Sequence, residues 1–139
     1  MSDTKVFIDT NVLVYSLDSY DPARRSAARK LLVRLRDEHV PVISTQVLQE
    51  FYYTATRKLG ITAVRAKELV KAFTQFETVS VEPHTIMEAI DISVENQISF
   101  WDALIIAAAV QANCREVYTE DLNDGQTIRG IHVRSPFVD

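Results

Sequence analysis

The sequence predicts an α/β domain, a parallel sheet with helices on both faces. Three observations predict it. Short, mostly apolar and β-branched runs at residues 5–8, 40–44, 78–81, 116–119 and 131–133 alternate with longer segments of helical periodicity, the pattern of βαβ units. Right-handed crossovers between such strands cover both faces of a sheet. The chain of 139 residues is 47% hydrophobic and 24% charged, enough apolar material for one sizeable core. Residues 1–139 are therefore read as a single domain around a central parallel sheet of four to five strands, with no internal repeat, low-complexity segment or linker.

Each element has a local reason. Val6, Phe7 and Ile8 form a short buried strand, and Thr10 is a plausible N-cap for an apolar helical run reaching about Leu17. Asp21-Pro22 starts the next helix with an N-cap acid and proline at the first helical position. Ala27, Ala28, Leu31, Leu32 and Leu35 form its apolar stripe. Arg25, Arg29, Lys30, Arg34 and Arg36 lie largely off the stripe. The simpler reading of these bases is a solvated face, the other a contact surface for nucleic acid.

Pro41 is tolerable only near the start of the second strand, and Ser44-Thr45 caps a helix burying Val47, Leu48, Phe51 and Ala55. Glu50 falls off that stripe, grouped with Gln46, Tyr53 and Arg57, and Gly60 closes the helix. Thr62 caps a helix with Val64, Leu69, Val70, Phe73 and Phe76 inward. Pro83 opens another that carries Ile86, Ala89, Ile90, Ile92 and Val94. Ser99 and Asp102 have capping-box spacing, and residues 103–110 are apolar all round, so this helix packs on most sides. Residues 120–125 form a polar loop, followed by a short helical turn, the last strand at 131–133, and Pro136 as the end of ordered structure.

Bulk properties narrow the function. Formal net charge is −4, which does not suggest a strongly basic nucleic-acid binder but suits acids gathered on a metal. A single cysteine, Cys114, excludes an internal disulfide and a multi-cysteine zinc site, and it reads as a buried thiol. No apolar run approaches the roughly 20 residues of a membrane span, and no signal peptide is evident, so a cytoplasmic protein is expected. With three glycines in the chain, no G-x-G-x-x-G or Walker loop exists, against a nucleotide-binding domain.

Four acids stand out by position. Asp9 and Asp121 follow parallel strands at their carboxyl ends, where open α/β sheets bind ligands. Glu50 and Asp102 lie in early helical turns near the same edge. Singly, each has an ordinary reading: helix cap, turn acid or solvated residue. Four carboxylates brought together repel, and a hard divalent cation resolves the repulsion. His39, His84 and His132 are scattered, so no imidazole set favours zinc.

The motifs VFIDTNVLVY, STQVLQEFY, SFWDALIIAAA, VYTEDLNDGQ and RSPF together resemble the PIN domain family, specifically its VapC-type toxin ribonucleases. The resemblance implies a three-layer α/β/α sandwich and an Mg²⁺- or Mn²⁺-dependent endoribonuclease, the toxin of a type II toxin–antitoxin pair. It places catalytic acids at Asp9, Glu50, Asp102 and Asp121, with Asp9, Asp102 and Asp121 as metal ligands. Supporting roles fall to Thr10, Asn11, Thr119 and Asp124. It also implies an RNA substrate, a cognate antitoxin, a homodimer, and cleavage that leaves a 5′-phosphate and a 3′-hydroxyl. Two alternatives stay open: a PIN protein that processes or binds RNA without a toxin role, and a receiver-type signalling module. The receiver fits poorly, because Asp9 stands alone after the first strand and no Lys follows Val133.

Overall fold

The computed structural model describes residues 3–137. In chain order the elements are β1 (Lys5–Ile8), α1 (Thr10–Tyr15), α2 (Pro22–Glu38), β2 (Val40–Ser44), α3 (Thr45–Arg57), α4 (Ala63–Phe73), β3 (Glu77–Val79), α5 (Pro83–Asn96), α6 (Phe100–Gln111), β4 (Glu116–Tyr118), β5 (Thr127–Ile128) and β6 (Ile131–Arg134). The strands form one sheet in the order β3-β2-β1-β4-β6-β5. The sheet is flanked by helices, a three-layer α/β/α sandwich.

The order reverses at β1. The chain winds from β1 outward to β2 and β3, then returns across the sheet to place β4 on the other side of β1. β1 pairs in parallel with both β2 and β4. Side chains on both faces of β1 are buried, Val6, Phe7 and Ile8 each at 0% exposure, because helices cover the sheet above and below. The α6 helix completes the core: Ala103 through Ala109 are all buried. Its many alanines let it lie close against β2, β4 and β6.

Caps explain the helix starts. Ser44, Thr62 and Ser99 accept the backbone N–H groups of Val47, Arg65 and Asp102, and Asp21 accepts that of Arg24 ahead of Pro22. Asp9, not Thr10, caps α1, its side chain accepting the N–H of Thr10.

The sheet has six strands, not four to five, and it is mixed. The expected helical turn before the last strand is instead the strand β5, paired antiparallel with β6. Arg129 (φ 51°) and Gly130 (φ 80°) join them. Two successive left-handed residues make the tight turn whose twist matches flanking strands. Arginine at the first position hides it, since Asn or Asp is usual there.

Two helices bury less than their apolar stripes predict. On α4, Val64 is 74% exposed; on α5, Ala89 and Ile92 are buried while Val94 is 74% exposed. Cys114 is buried, and that burial pushes its thiol up to about 12. No helix among the described residues is long and apolar enough to cross a membrane.

Candidate active site

The site grows from the seam between β1 and β4, where the strand order reverses. Ile8 and Tyr118 are aligned partners, so Asp9 and Thr119 leave the sheet side by side. The Asp9 N–H donates to the Tyr118 carbonyl at 3.0 Å. Asp9 is 4% exposed. Its Oδ1 accepts the Thr10 N–H at 2.7 Å, and its Oδ2 accepts the Thr119 hydroxyl at 2.7 Å. The Thr119 oxygen in turn accepts the Asp121 N–H at 3.1 Å. One hydroxyl at the end of β4 thereby orients the first acid and pins the loop carrying another.

Asn11, one residue into α1, donates from Nδ2 to Asp121 Oδ2 at 3.3 Å. Exchanging the amide oxygen and nitrogen would set oxygen against carboxylate, which supports this orientation. Thr10 faces the other way. Its hydroxyl donates to Glu50 Oε1 at 2.8 Å, while Gln46 Nε2 lies 3.5 Å from Glu50 Oε2 and donates to the Trp101 carbonyl at 3.2 Å. Buried Gln46 therefore ties α3 to the first turn of α6. Its spacing of four from Glu50 puts both on one helix face.

Asp102 sits in that first turn. Its backbone N–H closes the Ser99 cap at 3.1 Å, and its carboxylate has no hydrogen-bond partner among the described residues. It does not line the cleft, yet its negative charge reaches Asp121. The cleft, about 600 Å³, is lined by Asp9, Glu50 and Asp121, with Asn11, Tyr15 and Lys58 among the neighbours. Asp124 stands apart: its Oδ1 accepts the Ser135 N–H at 2.7 Å and pins the segment that leaves β6. Glu120, in contrast, lines the cleft and accepts the Tyr15 hydroxyl at 3.0 Å. The sequence alone assigns no role to Glu120, Tyr15 or Lys58. Only the strand order brings these three to one wall.

Burial dominates the electrostatics. It pushes Asp9 up from 3.8 to about 7, against the hydrogen bonds from Thr119 and Thr10, with Asp121 and Glu50 adding repulsion. Asp121 is also raised, by burial first, then by the charges of Asp102 and Glu120, with hydrogen bonding to Asp9 opposing. The site thus strains to stay anionic.

Its residues fit a hard divalent cation. The facing donors are oxygens, and no histidine or cysteine lines the cleft. Asn11 Oδ1 and Gln46 Oε1 are buried acceptors without partners, and a hydrated cation would satisfy such groups. Among the described residues no three His, Cys, Asp or Glu side chains stand close enough together to hold a metal ion by themselves. An ion here would keep water in much of its coordination sphere, which is the habit of Mg²⁺.

The sequence matches the PIN domain family over residues 6–123. No curated protein matches it significantly. Solved structures do. The toxin–antitoxin complex from Klebsiella pneumoniae aligns with TM-score 0.71 and 20% identity, covering 95% of this chain and 98% of that one. VapBC2 from Rickettsia felis, bound to a DNA fragment from its promoter, aligns with TM-score 0.70 and 17% identity, covering 95% and 98%. VapC20 from Mycobacterium tuberculosis, a toxin that cleaves the sarcin–ricin loop, aligns with TM-score 0.64 and 20% identity, covering 81% and 86%. At these identities the likeness is one of fold.

Proposed function

The chain belongs to the PIN domain family, and from that premise we propose that it is a Mg²⁺- or Mn²⁺-dependent endoribonuclease, the toxin of a toxin–antitoxin pair. The observation that carries the proposal is the Asp9–Thr119–Asp121 linkage at the sheet's switch point, with Glu50 held opposite by Thr10. A carboxylate buried at the cost of its own ionisation is a preparation for a cation, since no described cation pairs with it.

Asp9, Asp102 and Asp121 would hold the ion. When bound, it neutralises charge on the phosphodiester and acidifies water at neutral pH. The chain's own groups do the rest. Thr119 and the Thr10 N–H aim both oxygens of Asp9. Thr10 and Gln46 hold the Glu50 carboxylate at the cleft wall, where it orients the attacking water and accepts its proton. Asn11 keeps Asp121 turned toward the cleft. Attack at phosphorus breaks the bond to the 3′ oxygen and leaves a 5′-phosphate and a 3′-hydroxyl.

The neighbours in the Rickettsia and Klebsiella structures are toxin–antitoxin assemblies, which supports a cognate antitoxin for this chain. A homodimer and a cytoplasmic location belong to the same reading, as does the extent of the domain over residues 1–139. Asp124 supports the segment that leaves β6, through the Ser135 N–H, rather than the ion.

The test is cleavage of single-stranded and stem–loop RNA by the purified chain with Mg²⁺ or Mn²⁺, beside Asp9→Asn and Asp102→Asn. The parent cuts, EDTA stops it, and both variants fail. Cleavage unaffected by EDTA refutes the metal role, and variants as fast as the parent refute the site. Growth arrest on induction, relieved by a small protein encoded next to this chain, separates a toxin from an RNA-processing PIN protein.

A further inference from the structure

The cleft has a charge problem. Asp9, Asp18, Glu50, Glu120 and Asp121 line it, and Lys58 is the one cation among its described lining residues. A polyanionic strand must be gripped elsewhere. Unspent positive charge collects on α2. A second cavity, about 580 Å³, lies between α2 and the chain leaving β6, and it presents Lys30, Arg34 and Arg134 with the hydroxyls of Ser26, Tyr118 and Ser135.

These cations are available. Among the described residues neither Lys30 nor Arg34 forms an ion pair. Arg34 Nη2 donates to the Tyr118 hydroxyl at 3.3 Å, a neutral partner that fixes the guanidinium without cancelling its charge. Arg134 pairs with Glu116 at 2.9 Å, yet its side chain stays 54% exposed. One carboxylate, Asp124, also lines the cavity, and Ser135 N–H occupies its Oδ1.

The cavity connects to the cleft through Arg24. Ala23, Ala27 and Pro136 line both this cavity and a shallower hollow containing Arg24. Arg24 reaches Glu120 at 3.5 Å and lies over the Tyr15 ring at 5.6 Å, and both of those residues are on the cleft wall. Arg24, which also pairs with Asp21 at 3.1 Å, thereby links the cleft wall to the cavity that presents Lys30 and Arg34.

We propose that the cavity between α2 and residues 134–136 is a phosphate subsite, which holds the backbone of an RNA strand whose scissile bond lies at the Asp9 cleft. Guanidinium, ammonium and hydroxyl donors are the groups that position phosphodiester oxygens without reading bases. The proposal rests on the ribonuclease reading for the identity of the strand.

The test measures binding of fluorescently labelled single-stranded RNA in EDTA, so that nothing is cut, across a salt series. In the double variant Lys30→Gln/Arg34→Gln the slope of log affinity against log salt falls by about 1.4, from about 0.7 per lost phosphate contact on a single strand. Both side chains are exposed, so folding survives. The charge-matched control Lys67→Gln/Lys71→Gln, on α4, keeps the parental slope. An unchanged slope in the first variant, or an equal loss in the control, overturns the subsite. With Mg²⁺ restored, the first variant shows raised KM and parental kcat on long RNA, and a dinucleotide is cut alike by variant and parent. A parent that cuts no RNA sinks the ribonuclease reading, and the slopes in EDTA still decide the cavity.

Discussion

Two acids of the same candidate site are built in opposite ways. Asp9 leaves the central strand into the core, 4% exposed, with both oxygens held at 2.7 Å. Asp102 sits half-buried at the start of α6, its backbone spent on the Ser99 cap and its carboxylate unbonded. The first is aimed in advance and carries the strain of burial. The second has no such tether among the described residues. If the site admits a cation and a polyanion, as proposed, it gains from this division. A tethered acid gives geometry, and an untethered one adapts to what arrives.

The strongest way to break the contrast is Asp9→Asn. The neutral amide keeps the shape, and the Thr119 hydroxyl can rotate to accept from it. Cleavage falls at least about 1,000-fold, the loss expected when an anchoring charge of about 4 kcal/mol in the transition state disappears. The cation-free protein becomes more stable at pH 8, by about 2–4 kcal/mol, because the buried charge is gone. Denaturant unfolding in EDTA measures it, and an Asp9→Asn protein no more stable than the parent would refute the burial argument.

The same strain has a pH signature. Below pH 3.8 Asp9 is protonated whether folded or unfolded, and it contributes no difference. Between pH 3.8 and about 7 the unfolded chain releases the proton while the folded one keeps it. Stability of the cation-free protein therefore falls as pH rises across that window, by about 1.4 kcal/mol per unit for this group, and levels off above it. Saturating Mg²⁺ binds the ionised form and flattens the slope. Parent and Asp9→Asn melted in parallel from pH 4 to 8 isolate the contribution of this residue.

Thr119→Val is the next step down. It keeps the shape but removes the donor to Asp9 and the acceptor for the Asp121 N–H. A hydrogen bond to a charged group contributes about 1.5–3 kcal/mol, so stability drops by about 2 kcal/mol. Thr119→Ser retains the hydroxyl and restores most of it. If Val and Ser behave alike, the fixing of Asp9 by this hydroxyl is wrong.

What could be read in advance follows from the range of the forces involved. Helix starts at Pro22, Thr45, Ala63 and Phe100 were legible because a cap and its first turn are neighbours in the chain. Asp9 and Asp121 were legible as acids just after strands. Their wiring was not. Thr119 lies 110 residues from Asp9, and only the return of β4 to the side of β1 brings them together. Asp124, three residues beyond Asp121, read as a supporting acid, and the loop turns it toward Ser135. Arg129-Gly130 hid a hairpin because the left-handed turn uses an arginine, whose guanidinium is employed in pairing with Glu88 and Glu95 of α5. Apolar periodicity on α4 and α5 marked stripes, but period alone does not say how much of a stripe is covered.

The smallest expected effect on stability tests the other half of the contrast. Asp102→Asn removes a charge that is half-buried, lacks a hydrogen-bond partner, and repels Asp121. The Ser99 cap survives, since it uses the backbone N–H of residue 102. A neutral amide also forgoes some attraction to the helix N-terminus, an effect of about 0.3–1 kcal/mol that the relieved repulsion offsets. Stability of the cation-free protein stays within about 0.5 kcal/mol of the parent. If Asp102 serves as a ligand that turns inward only when a cation is present, the variant separates stability from cation affinity. Its melting temperature without Mg²⁺ is parental, whereas the Mg²⁺-induced rise in melting temperature shrinks or vanishes. A large loss of stability in EDTA would mean that Asp102 is already engaged in the cation-free fold, and the division into a tethered and an untethered acid would not stand.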